Sequence, residues 1–101
     1  FAGDTGYCEV FKEIGARLGP FTAAAIPIGA YLPRWFMRSH HASPADAVQI
    51  HVDVRSAWSV GCHWGTFRQK ATEHIMDPPR ELQEELDRRG MRRGEFETVR
   101  H

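Results

Sequence analysis

Two short, nearly unbroken apolar runs, FTAAAIPI at residues 21–28 and AWSVGCH at residues 57–63, constrain this chain more than any other feature. Apolar segments of this length, without polar alternation, suit strands buried on both faces, as in a parallel sheet covered by helices. Pro20 and Gly29 bound the first run, and Gly65 with Thr66 ends the second. Pro27 removes a backbone donor near the end of the first run and argues against pairing of its last residues.

Helical patterns separate these runs. Val10, Phe11, Ile14 and Leu18 fall on one face of a helix over residues 10–18, which Gly19-Pro20 stops. Ser43-Pro44-Ala45-Asp46 opens a second helix with a hydroxyl N-cap, a proline at the first helical position and an acid in the first turn. Ala47, Val48, Ile50 and Val54 give it an apolar face as far as about Arg55. Residues 31–43, YLPRWFMRSHHAS, match neither period and read as a loop rich in aromatic and basic groups. Residues 73–79 also read as a loop. Pro79 starts a third helix, with Leu82 and Leu86 one turn apart and Gly90 as its stop, and a strand follows over residues 96–99. The opening FAGDTGYC reads as the end of one more strand. Strands alternating with helices of this length predict an α/β layer with largely parallel neighbours.

Composition narrows the partners. The chain has 101 residues, enough for one domain at most, and 13 Lys and Arg balance 13 Asp and Glu. No overall field draws in nucleic acid, and none is expected as a partner. The C-terminal arginines, Arg80, Arg88, Arg89, Arg92, Arg93 and Arg100, are interleaved with acids and read as a solvated helix face rather than a lipid-headgroup or phosphate patch. Cys8 and Cys62 are too few for a disulfide framework or a four-cysteine zinc site, and read as small buried hydrophobes in a reducing compartment. Nothing approaches the apolar length of a membrane span. The missing initiator Met leads us to expect an upstream portion that is not given.

In open α/β sheets ligands gather at the carboxyl ends of the strands. Three such ends stand out: Asp4 in GDTG, the segment IGAYLPRW, and His63 in CHWGTF. Asp4 suits either a turn acid capping the Tyr7 and Cys8 amides or a metal ligand. His63 suits either a hydrogen-bonded core histidine or an imidazole donor, and a carboxylate and an imidazole from neighbouring strand ends can share a zinc ion. His40-His41 has no ligand spacing to other candidates, and His51, His74 and His101 read as surface residues.

FAGDTGYC, IGARLGPF, AAIPIGAYLPRWFMRSHH, SPADAVQIHVDV, HWGTF and EHIMDPPREL, in that order, resemble the C-terminal half of the N-acyl-phosphatidylethanolamine-hydrolysing phospholipases D, a family of metallo-β-lactamase fold. IPIGAYxPRWFM and HWGTF are specific to that family, whereas GDTG is shared more widely. The resemblance implies that residues 1–101 are the C-terminal part of a single αββα sandwich whose other half carries an HxHxDH motif and a further histidine, both absent here. It implies two zinc ions in each complete site, with Asp4 bridging them and His63 completing the ligand set of the second. It places His41 near the active centre, behind the ligands or against the substrate phosphate, as a catalytic candidate. It leaves Tyr31, Arg34 and Trp35 open between loop packing and substrate contact, and nothing carries over to His40. The implied reaction is zinc-dependent hydrolysis of a membrane phospholipid to N-acylethanolamine and phosphatidic acid, by an intracellular protein lying peripherally on membranes and capable of forming a homodimer. The strand-end aspartate and histidine would serve equally in a related phosphodiesterase or lactonase. The missing ligands also leave room for an inactive truncated chain.

Overall fold

The computed structural model describes residues 1–67 and 71–99. Its elements run α1 (Val10–Leu18), β1 (Ala24–Pro27), α2 (Arg34–Met37), α3 (Pro44–Asp53), β2 (Ser59–Cys62), α4 (Asp77–Arg88), a 3-10 turn (Arg93–Glu95) and β3 (Phe96–Thr98). The strands form one sheet in the order β1-β2-β3, and both pairings are parallel. Ala24 stands opposite Ser59 and Pro27 opposite Cys62; on the other side of β2, Ser59 stands opposite Phe96. The N–H groups that β1 turns to β2 include those of Ala24, bonded to Trp58 O, and Ile28, bonded to Cys62 O, so the Pro27 nitrogen lies on the other edge and does not interrupt the ladder.

The α3 N-terminus forms as its sequence dictates. Ser43 Oγ accepts from the Asp46 N–H at 3.1 Å while the Asp46 carboxylate accepts from the Ser43 N–H at 3.2 Å, a reciprocal cap ahead of Pro44. The apolar face of α3 is buried at Ala47, Val48, Ile50 and Val54, and Leu82 and Leu86 of α4 pack into the same core with Ile26, Ile28 and Phe96. The C-terminal arginines within the described residues are spent on local acids: Arg80 on Asp77 and Glu84, Arg88 and Arg89 on Glu85, Arg92 on Glu95, Arg93 on Asp87. Arg100 and His101 lie outside the described residues.

Several expectations need correction. Burial on both faces holds only at the end of β1, where Ile26, Pro27 and Ile28 are all buried; along β2, Ser59 and Gly61 are buried while Val60 and Cys62 are half-buried, and Glu97 of β3 is exposed. The covered face is the one against α3, where His51 reaches Ser59 and lies over Phe96. No strand forms at residues 1–3; a single bond, Ala2 N–H to Ala25 O at 3.0 Å, carries the opening segment alongside β1. Within 31–43 a four-residue helix, α2, interrupts the expected loop, and α4 begins at Asp77 rather than Pro79. In α1, Val10 and Leu18 are exposed, and the one buried residue is Gly15. Cys8 is exposed and Cys62 only half-buried. His51 is 3% exposed, its Nδ1 sitting 2.7 Å from Ser59 Oγ.

Candidate functional site

Parallel strands present their carboxyl ends at one edge of the sheet, and the candidate residues meet there. His63 follows β2 directly, with φ of 60°, a left-handed backbone that costs a non-glycine residue about 1 kcal/mol or more. Held that way, its Nε2 lies 3.5 Å from Asp4 Oδ1. Asp4 is carried by the GDTG turn, which lies against the end of α2. A Cβ on Gly6 would stand 2.1 Å from Arg38 O, so only glycine allows that approach. Among the described residues no hydrogen bond joins the Asp4 carboxylate to the Tyr7 or Cys8 amides, and α1 has no side-chain cap.

His41 completes the cluster. Its ring stacks on that of His63, with centroids 5.1 Å apart and planes 28° from parallel. Burial, followed by the charge that His63 can carry, holds the His41 imidazole below the ordinary histidine range, so it is neutral at pH 7. Its Nδ1 is buried and has no hydrogen-bond partner among the described residues.

An N···O separation of 3.5 Å is long for a hydrogen bond. Two donors each at ordinary zinc distance on a tetrahedral ion stand about 3.3–3.6 Å apart, a range that includes the Asp4–His63 spacing. Two donors alone are fewer than a zinc ion requires. Among the described residues no group of three or more His, Cys, Asp or Glu side chains could hold a metal ion.

The segment between β1 and α3 settles differently from residue to residue. Arg34 Nη1 donates to Tyr31 O at 3.3 Å and to His41 O at 3.1 Å, and its Nη2 pairs with Asp46 Oδ2 at 2.5 Å. Tyr31 is buried, and burial, helped by the nearby Glu81 carboxylate, pushes its hydroxyl well above the ordinary range. Its backbone N–H and that of Leu32 donate to the two carboxylate oxygens of Glu73 at 3.1 Å each, a tie that no motif announced. Trp35 and Phe36 are 82% and 62% exposed and pack edge to face. His40 is exposed and touches Ser39 Oγ, and His74 is exposed as expected. Tyr7, Arg34, Arg38 and Asp46 line a recess of about 240 Å³ beside the GDTG turn.

A family model described as the β-lactamase superfamily domain matches residues 1–64. The chain is 56% identical over 90 residues to N-acyl-phosphatidylethanolamine-hydrolyzing phospholipase D 1 of Caenorhabditis elegans, covering 88% of this chain and 25% of that protein. It is 48% identical over 71 residues to an uncharacterized protein of Mycobacterium tuberculosis, covering 67% and 18%. It is 34% identical over 84 residues to the mitochondrial N-acyl-phosphatidylethanolamine-hydrolyzing phospholipase D of Saccharomyces cerevisiae, covering 81% and 18%. The chain thus spans a quarter or less of the length of these relatives.

Proposed function

This chain belongs to the β-lactamase superfamily, and from that premise we propose that it forms the C-terminal part of a metallo-β-lactamase αββα sandwich in a zinc-dependent phospholipase of the D type. The substrate is N-acyl-phosphatidylethanolamine and the products are N-acylethanolamine and phosphatidic acid, as the names of the worm and yeast relatives suggest. The observation that carries the reading is the 3.5 Å approach of Asp4 Oδ1 and His63 Nε2 at the carboxyl edge of the sheet.

Asp4 and His63 would hold zinc, a carboxylate and an imidazole both being donors that this ion accepts. When bound, the zinc pair supplies Lewis acidity that makes water a competent nucleophile near neutral pH and offsets charge on the phosphoryl oxygens. The remaining work falls to the chain itself. Gly6 lets the GDTG turn lie close enough to α2 for Asp4 to face His63. His41, neutral and stacked on His63, fixes the plane of that imidazole and hence the direction of Nε2. Two donors cannot fill the four or five positions that each zinc requires, so the 101-residue chain alone is inactive.

A membrane lipid as substrate requires contact with a bilayer. No helix among the described residues is long and apolar enough to cross one. Trp35 and Phe36, exposed on α2, would provide peripheral attachment on intracellular membranes, with the exposed Arg38 beside them for lipid phosphate. A homodimer is compatible with this arrangement.

The test uses the full-length parent enzyme. Asp4→Asn and His63→Ala are each expected to lower bound zinc and lipid hydrolysis at least about 100-fold, and the isolated chain is expected to bind no stoichiometric zinc. Hydrolysis of a lactone or a soluble phosphodiester by the parent, with none of the lipid, would replace the substrate assignment. Tight zinc and activity in the isolated chain would refute the claim that its site is incomplete.

A further inference from the structure

We propose that Arg34, held by Asp46, is a positioning residue that clamps His41 against His63. The inference rests on the placing of His41 at the active centre under the function proposed above. One guanidinium joins three pieces of backbone that the site depends on. Through Nη1 it grips Tyr31 O, just past β1, and His41 O; through Nη2 it grips the acid that caps α3. The Asp46 carboxylate is itself fixed by the Ser43 N–H. From the opposite side, Met37 O accepts from the N–H groups of both His40 and His41, at 2.9 and 2.8 Å. His41 is thus held by its backbone before and after the ring, and Ala42 next to it is fully buried. The ring has little freedom to leave His63.

The same contacts argue against the other role open to Arg34, recognition of a substrate phosphate. Its planar fork is already committed to two carbonyls and a carboxylate, and Arg34 and Asp46 are each only about a third exposed or less, at 35% and 27%. Arg38 faces the same recess, is exposed, and has no ion-pair partner among the described residues. Arg38 is the cation there that is open to an anion.

The experiment is steady-state hydrolysis of N-acyl-phosphatidylethanolamine in vesicles by the full-length parent, with melting temperature and zinc content measured on every variant. Arg34→Gln is expected to lower kcat about 10- to 100-fold with KM within about twofold, and zinc content unchanged. Arg34→Lys keeps the charge but not the fork and is expected to fail to rescue. Asp46→Asn is expected to act in the same direction, and the double variant to be no worse than Arg34→Gln alone, because the two act as one unit. A raised KM with kcat intact would make Arg34 a substrate contact and overturn the clamp. A loss of kcat that only tracks lost folded protein or lost zinc would overturn it too. If the parent does not hydrolyse this lipid, the functional reading falls and amide hydrogen exchange decides the clamp. Faster exchange confined to residues 40–42 in Arg34→Gln supports it, and unchanged exchange there overturns it.

Discussion

His51 Nδ1 contacts Ser59 Oγ at 2.7 Å, its ring lies against Phe96, and Glu95 Oε2 stands 4.0 Å from Nε2. Burial lowers its pKa, and the more distant Glu95 opposes that only in part. Unfolded, the ring titrates near its ordinary 6.5; folded, it titrates lower. The unfolded state therefore binds more protons just below that value. The contribution of His51 is complete above about pH 6.5 and is lost as pH falls through the folded pKa. In the parent protein, the urea midpoint of the wild type should fall between pH 7 and pH 5 more steeply than that of His51→Gln. Parallel curves would show that His51 is not the group responsible. A lone histidine between Ile50 and Val52 carries no sign of which way it turns, and its burial is decided by Ser59, eight residues on and in another element. His63 was legible as a candidate because it follows an apolar run that forms β2, and Asp4 because it lies between two glycines, although the strand expected ahead of it does not form. Gly6 adds a second residue-scale test: Gly6→Ala drives a methyl into Arg38 O, so the GDTG turn must move and zinc affinity should drop at least about tenfold on equilibrium dialysis.

Among the elements, α3 was the most legible, since its capping residues, proline and apolar face lie within one stretch and all point to the same helix. Ser43→Ala removes a hydroxyl that satisfies the Asp46 N–H, and should cost about 1 kcal/mol by denaturant titration. The shortest helix, α2, was not legible, because four residues are too few to show a period of 3.6. In α1 the period was right and the face only half so: Phe11 and Ile14 pack against the core, while Val10 and Leu18 are exposed. The helix does not lie on Val10 and Leu18 but turns Gly15 to the backbone of α3, where a Cβ would stand 1.9 Å from Asp53 O. One contact ties the segment ahead of α1 to α3: Tyr7 Oη donates to Asp53 Oδ2 at 2.7 Å, which pushes the tyrosine pKa up to about 12, while within α3 Gln49 donates to Asp53 Oδ1. Helix packing rewards the smallest residue at a close crossing, a preference that hydrophobic periodicity does not record. Gly15→Ala should therefore destabilise the protein by about 1–3 kcal/mol, despite the higher helix propensity of alanine, and a neutral or stabilising result would contradict the close approach.

At the scale of the molecule, the parallel order was readable from two apolar runs, while the partial exposure of one face along β2 and β3 was not, because a run of small apolar residues fits either environment. The even charge balance of these 101 residues supplies no long-range attraction to an anionic bilayer, so the membrane attachment proposed above would draw on a local feature of this part of the protein. Trp35 and Phe36 supply one, set on α2 beside the Arg34 that reaches His41 and just ahead of the Arg38 carbonyl that packs on the GDTG turn. Membrane contact at this pair would bring the lipid surface to the site. Each aromatic ring withdrawn from water contributes up to about 1.5–3 kcal/mol, and about 1.4 kcal/mol changes a partition coefficient tenfold. Trp35→Ala/Phe36→Ala in the parent should weaken vesicle sedimentation at least about tenfold and raise the apparent KM on vesicles. Because neither ring touches Asp4, His41 or His63, kcat on a short-chain monomeric substrate should stay within about twofold. Unchanged sedimentation would remove these rings from the membrane contact, and a fall in kcat on the monomeric substrate would place them in the site instead.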